Sequence, residues 1–432
     1  MQRPKPELTN RPAVLGQPAL FGYKWAVVFM LWFICFFNYA DRQAIFSIFP
    51  KLKEEFGFDK VQLGLIASAF MWVYAFGAPF AGFIADRFPR KHLILGGCLF
   101  WSAITALTGW CGRLWHFVTV RALEGFGETF YFPATMSLLS DYHDTRTRSR
   151  ALSFHQSSVY IGTIAGSWLG AWFAEKHGWR VGFYFFGLAG AVLALVLYQF
   201  LREPPRAEVP RSIPDKSPLT GRVRAILGNP TALCLMIVFV GANFVATIFL
   251  TWTPTFLVEK FGFKLTSAGL SGAVFIHLAS ALSVPIAGLF ADRLARSHAG
   301  GRMFIQAAGL AVGAIFILIV GITKSVSTLL VAMSCFGICK GFYDSNIFAS
   351  LFDVVESRAR GSAAGIMNTA GWGGGALGPL AVGWVSKHGR HSTEMENMSE
   401  AIAFGGIIYL LGATLLVVAA FSCSKRRTNL GI

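Results

Sequence analysis

GFIADRFPRK (residues 82–91) closes an apolar run with a charged turn, and GLFADRLARS (288–297) repeats it in the second half of the chain. Working outward, LEGFGET (123–129) is echoed by CKGFYDS (339–345), and AEKHGW (174–179) by VSKHGR (385–390). Three echoes in one order and at nearly one spacing indicate two copies of one unit. A site is then expected where the copies meet.

The unit is apolar. The 432 residues are 54% hydrophobic, with mean hydropathy +0.54, and only 14% are charged. Soluble domains carry about 25% charged residues, so the composition describes a membrane protein. A net charge of +16 also fits a nucleic-acid partner, but basic loops on one membrane face give the same total. No nucleic acid is expected. The Cys residues lie mostly within apolar runs, without zinc or C-x-x-C spacing. Cys335 and Cys339, four apart on one helix face, read as packing. The Pro-rich, polar start has no signal-peptide core.

Spans of about 20 apolar residues are centred near residues 36, 73, 102, 128, 162, 190, 243, 278, 312, 339, 371 and 411. The expected fold is all-α: twelve transmembrane helices in two pseudo-symmetric six-helix bundles. The bundles cover 23–201 and 227–422. A tail (1–22) precedes them, a Pro-rich basic linker (202–226) joins them, and a second tail (423–432) follows. Lys and Arg concentrate in the loops on the side of both termini, which places that side in the cytoplasm and the chain in a plasma (inner) membrane. The sequon Asn397-Met-Ser falls on the opposite side.

Three basic residues remain inside spans: Arg42, Arg121 and Lys340. A charge near a bilayer centre costs ~2.5–3.5 kcal/mol on insertion scales, so each must face protein or water. Asp41 and Arg42 are adjacent and point about 100° apart on a helix. Arg121, Glu124 and Glu128 fall on one stripe of the fourth helix. Asp41, Glu124 and Glu128 against Arg42 and Arg121 leave one net negative charge, which a proton on one carboxyl removes. Alternatively, these groups pair among themselves and merely hold the bundle. Lys340 and Asp344 are four apart and able to pair; otherwise Lys340 receives an anionic group, with Tyr343 and Asn346 as hydrogen bonders. An added cation there favours an organic anion. His155 and His277 lie in spans, as packing residues or as cavity lining. Tyr74, Tyr160, Asn243, Gln156 and Asn368 are further lining candidates or helix joiners. The glycine runs GTIAGSWLG (162–170) and GWGGGALG (371–378) let helices approach closely, so the fifth and eleventh helices are expected to slide or rock.

The pattern resembles the major facilitator superfamily over about residues 22–422. The most specific element is G-x-x-x-D-R-x-x-R-K at Gly82, Asp86, Arg87, Arg90 and Lys91. Its second copy, Gly288, Asp292, Arg293 and Arg296, has Ser297 in place of the last basic residue. R-x-x-x-G-x-G follows at Arg121, Gly125 and Gly127; the fifth helix lacks the Pro of drug–proton antiporters. NYADR and RALEGFGETFYFPA are similar to the anion:cation symporters and also to Spinster-like lipid carriers. The resemblance implies alternating access, a proton-coupling acid at Asp41, and a gating role for the loop motif, with Asp86 holding the outward-open state. The expected function is proton-coupled transport of a small organic anion such as a sugar acid. The alternative is a lysophospholipid carrier.

No metal-ligand cluster, G-x-S-x-G or paired nucleophile and His is present, so an enzyme is not expected. The absence of G-x-x-x-x-G-K-[ST] argues against an ATP-driven pump. Expected partners are the small-molecule substrate, protons and lipid. The chain is expected to be a monomer, with no cofactor and no metal.

Overall fold

The computed structural model describes residues 18–85, 87–144, 146–204, 223–224, 226–356 and 360–429. Asp86, the tail 1–17 and most of the linker lie outside the described residues. Helices follow in chain order: α1 (Pro18–Ser47), α2 (Phe49–Phe56), α3 (Lys60–Ala85), α4 (Arg90–Thr108), α5 (Leu114–Thr129), α6 (Tyr131–Tyr142), α7 (Arg148–Lys176) and α8 (Trp179–Phe200). The second half adds α9 (Pro230–Phe261), α10 (Leu265–Ser297), α11 (Gly301–Ile322), α12 (Val326–Asp344), α13 (Ile347–Val354), α14 (Arg360–Gly375), α15 (Leu377–His388) and α16 (Glu394–Asn429).

These helices make twelve spans, three of them broken in the middle: α5–α6, α12–α13 and α14–α15. Among the described residues, nine spans are long and apolar enough to cross a membrane by length and composition. The other three are α5–α6, α7 and α14–α15. The first carries Arg121, Glu124 and Glu128, the second begins with a polar stretch, and the third is glycine-rich. Their polarity marks them as bundle-facing.

The breaks have local causes. Pro133 cannot donate to Thr129 O, and the helix parts at Phe130. Pro379 likewise frees Gly375 O, which accepts instead from Thr247 Oγ1 at 2.6 Å. Ala376 O accepts from Ser68 Oγ of the first half at 2.5 Å. Both halves break the fourth of their spans directly after the echoed motif. They also share an ion pair between residues 51 apart, Arg90–Asp141 and Arg302–Asp353.

The glycine runs weld helices inside each half. Gly162, Gly166 and Gly170 lie against Phe36, Ala40 and Ala44 of α1. Gly371, Gly374 and Gly378 lie against Phe239, Val240 and Phe244 of α9. The close approach expected of these runs is present: a Cβ at Gly170 would sit 2.8 Å from Ala44 Cα, backbone against backbone.

The two halves meet on the side opposite the termini, called here the far side. A Cβ on Gly64 of α3 would fall 2.6 Å from Pro379 O. Gly269 of α10 abuts Ser167 and Ala171 of α7, and Ser167 Oγ donates to Gly269 O at 2.7 Å. Gly82 and Gly288 sit at the termini-side ends of α3 and α10, and a Cβ on either would meet nothing within 4 Å. The seam is therefore tight on the far side and loose toward the termini. Asn397 is buried in that far-side packing, its amide spent on Ser386 O, His391 O and His391 N–H. It offers no exposed acceptor for a glycan.

Candidate functional site

The weld between α1 and α7 fixes the turn that carries Asp41 and Arg42, since Ala40 and Ala44 flank them. From that turn the two side chains diverge as helix geometry requires. Asp41 faces α4, where Oδ2 accepts from Thr105 Oγ1 at 3.2 Å. Its Oδ1 accepts from the Arg42 peptide N–H at 2.7 Å. Arg42 faces α5, where Nε donates to Glu128 Oε2 at 2.9 Å and Nη2 reaches both Glu128 and Asn38 Oδ1.

One helical turn away, Arg121 Nη1 donates to Glu124 Oε2 at 2.5 Å. All five charged residues are buried, none more than 5% exposed. Carboxylate oxygens of Asp41, Glu124 and Glu128 lie within 4.8 Å of one another. Two of these carboxylates are matched by guanidinium groups. Among the described residues Asp41 has no cationic side chain paired with it. Glu128 Oε1 and the Nε and Nη2 of Arg121 are buried without hydrogen-bond partners, so the cluster is under-satisfied as it stands.

Aromatic rings close the cluster. Arg42 lies 4.5 Å from the Tyr39 ring centre, 4.6 Å from Phe70, 5.5 Å from Tyr74 and 6.0 Å from Trp372. Arg121 lies 4.7 Å from Phe70, so both cations approach the same ring. Both arrangements are within cation–π range.

The second half answers with Lys340 and Asp344, which form an ion pair. Their side chains keep 18% and 34% exposure at mid-span, so the pair borders space rather than packed core. A cavity of about 20 Å³ sits between the halves, lined by Gln43, Leu250, His277 and Lys340 among others. Gln43 Nε2 closes one wall by donating to Leu250 O at 3.0 Å. Tyr160 and His277 approach across the seam with ring centres 6.4 Å apart.

Other expected residues lie elsewhere. His155 is buried in the first half, with Nε2 2.9 Å from Tyr131 OH, in the packing arrangement. Asn243 donates to Phe239 O in its own helix and lies beside Gly371. Tyr343 is buried in the second-half core with its hydroxyl unpartnered. Asn346 sits in the α12–α13 break, bonded to Ser345. In the loop motif, Arg90 pairs with Asp141, and its N–H and that of Lys91 donate to Glu203. In the second copy, Asp292 pairs with Arg302 at 2.8 Å.

Sequence reading missed Asn38, Phe70, Thr105, Gln43 and Trp372. Asn38 was findable as the i−4 neighbour of Arg42. The others come from other helices, and no spacing signals them.

A family model described as Major Facilitator Superfamily matches residues 31–379. An ascorbate transporter of chloroplasts from Arabidopsis thaliana is 27% identical over 91% of this chain and 75% of its own. A probable galactarate/D-glucarate transporter of Bacillus subtilis is 26% identical over 84% of this chain and 85% of its own. Among solved structures, an inward-facing bacterial homologue of the human lysosomal transporter Spinster superposes with a TM-score of 0.82. It is 19% identical, and the match covers 93% of this chain and 98% of that one.

Proposed function

Because the chain belongs to the Major Facilitator Superfamily, we propose that this membrane transporter moves a small organic anion in company with a proton. The observation that carries the reading is the count of charges in the first half. Three buried carboxylates face two guanidinium groups, and Asp41 is the carboxyl without one. A proton on Asp41 balances the set. With Asp41 ionised, Arg42 has two carboxylates to choose between, its own neighbour and Glu128. An anionic substrate entering from the cleft adds a third. The ionised Asp41 and the substrate anion thus compete for the same guanidinium, so protonation of Asp41 and anion binding favour each other, which is what coupling requires.

The substrate anion sits between Arg42 and Lys340, with Tyr74, Tyr160 and His277 lining the route. Lys340 gives up Asp344 to receive it. Glu124 and Arg121 hold the fourth span in register beside the coupling pair. The substrate class follows from the added cation in the second half and from the two relatives, whose names specify ascorbate and galactarate or D-glucarate. The loop motifs act as gates on the termini side. Both termini face the cytoplasm in a plasma (inner) membrane, as the basic loops favour, and one chain suffices.

Proteoliposomes test the reading. An imposed pH gradient drives uptake of labelled D-glucarate, and Asp41→Asn abolishes the drive while leaving exchange at equal pH. Gradient-driven uptake that survives Asp41→Asn overturns the assignment of the coupling group. Movement of lysophospholipid but of no water-soluble acid overturns the substrate class in favour of a lipid carrier.

A further inference from the structure

Trp372 belongs to the second half, yet its ring reaches the charge cluster of the first. It lies 5.3 Å from the Tyr74 ring, tilted by 60°, and 6.0 Å from the Arg42 guanidinium. The other three rings around Arg42, those of Tyr39, Phe70 and Tyr74, are first-half residues. They share the half that carries Arg42. Trp372 does not.

The glycine run explains how the ring is held there. Gly371, Gly374 and Gly375 share one face of α14 at helical spacing and lie against Phe239, Val240, Asn243 and Thr247 of α9. Side chains at those positions would push α14 off α9. Residue 372 is turned about 100° from residue 371, so the weld that buries the glycines aims the indole across the seam. A ring set on a helix whose glycine backbone is pressed against the side chains of α9 has little freedom to retreat while the second half keeps its place.

We infer that Trp372 is a positioning residue for coupling: it holds Arg42 on Glu128 until the second half moves. The inference rests on the proton-coupled reading above. With the indole in place, Arg42 lies between Glu128, Asn38 and four rings and stays on its carboxylate. When the halves rock, Trp372 leaves, and Arg42 is released toward the cleft as the cluster changes its proton. Removal of Arg42 from Glu128 is then tied to movement of the second half. Without the ring the tie is lost, and Arg42 leaves Glu128 in an empty transporter, so that protons cross without substrate.

The experiment uses the full chain in proteoliposomes with trapped pyranine, under an imposed pH gradient. The proteins compared are the parent, Trp372→Ala, Trp372→Leu and Trp372→Phe. D-glucarate counterflow at equal pH reports whether each variant is folded and able to exchange. Trp372→Ala and Trp372→Leu are expected to collapse the gradient without substrate and to lose gradient-driven accumulation while keeping counterflow. Trp372→Phe, which retains a ring face, is expected to restore tightness and accumulation. A variant that lacks the ring yet stays tight and accumulates substrate like the parent overturns this inference alone. So does Trp372→Phe leaking as freely as Trp372→Leu, since bulk or fold and not the ring is then at work. Should Trp372→Ala fail to fold, the Leu and Phe pair decides. A parent that takes up D-glucarate without moving protons overturns the coupled reading and this inference with it.

Discussion

Lys60 opens α3 in the first half with 1% of its side chain exposed, and its ammonium lies 2.8 Å from Glu259 Oε2 of the second half. Glu394 adds a second carboxylate at 3.6 Å, and Lys53 approaches the same two acids at 3.5 and 3.2 Å. Two lysines of one half and two glutamates of the other thus bridge the far side. The bridge exists only while that side is shut, so it weights the equilibrium between access states.

Lys60→Met is expected to leave Glu259 and Glu394 with Lys53 alone. Both glutamates are partly exposed and keep Lys53, so the loss is on the scale of a surface ion pair, about 0–1 kcal/mol, here charged against the far-closed state. Spin-label distances across the far side lengthen in Lys60→Met, and the double variant with Glu259→Gln recovers part of the closed population. Unchanged distances in the single variant remove the bridge from the switching device.

A neighbouring contact makes the far side sensitive to pH. Asp59 accepts from Lys387 Nζ at 2.7 Å across the seam. Partial burial opposes ionisation of Asp59, but the Lys387 ammonium and the peptide N–H groups of Gln62 and Val61 outweigh it and hold the carboxyl below its ordinary value. A depressed carboxyl favours the contact in full above the ordinary carboxylate value, near ~4. The contribution is lost as pH falls through the depressed value. Far-side distances should therefore lengthen on acidification, and Asp59→Asn should flatten that response. Tighter closure in acid would reverse the sign and refute it.

The glycines separate a packing role from a switching one. Gly166→Ala drives a methyl into the Ala40 backbone of α1, and overpacking of this kind costs about 1–3 kcal/mol. A lower Tm is expected. Gly82→Ala and Gly288→Ala meet open space here, and Ala in a helix gains about 0.5–1 kcal/mol over Gly. Their Tm should hold or rise while transport slows, because these positions meet a partner when the termini side shuts. Equal Tm losses at Gly166 and Gly82 would erase the distinction.

Much of this was legible before any coordinates. The echoed loops gave two halves, apolar runs gave the spans, and unneutralised charges inside them gave Asp41, Arg42, Arg121, Glu124, Glu128 and Lys340. The charge count foretold one excess carboxylate but not which one. That depended on Thr105 coming from α4 and on Phe70 lying near both arginines, contacts set by helix packing rather than by spacing along one helix. The glycine runs show in the sequence that backbones can approach, not which neighbour arrives; α1 and α9 are supplied by the packing. Lys60 and Glu259 stood at helix ends, where a charge is ordinary, and only the approach of the two halves buries the lysine.

Asp41→Asn and Glu128→Gln each remove one negative charge, and each leaves two carboxylates facing two arginines. Their structural consequences should nevertheless differ. Asp41 is held by a hydroxyl and a peptide N–H on its two separate oxygens, and an Asn amide keeps both contacts, its oxygen accepting from the Arg42 N–H and its NH2 donating to the Thr105 hydroxyl oxygen. Nothing cationic is orphaned, and a buried charge lacking a matched partner disappears. Asp41→Asn is therefore expected to hold or raise Tm. Glu128→Gln strips Arg42 of its carboxylate and leaves it with Asn38 and the rings. Breaking a buried pair by removing one partner costs about 3–5 kcal/mol, relieved to the extent that Arg42 turns to Asp41. A clear fall in Tm is expected, smaller in the double variant Glu128→Gln, Arg42→Met. Scanning fluorimetry on the purified variants reads the order. If Asp41→Asn is the less stable single variant, Asp41 already has a strong partner, and the excess charge that drives the coupling argument lies elsewhere.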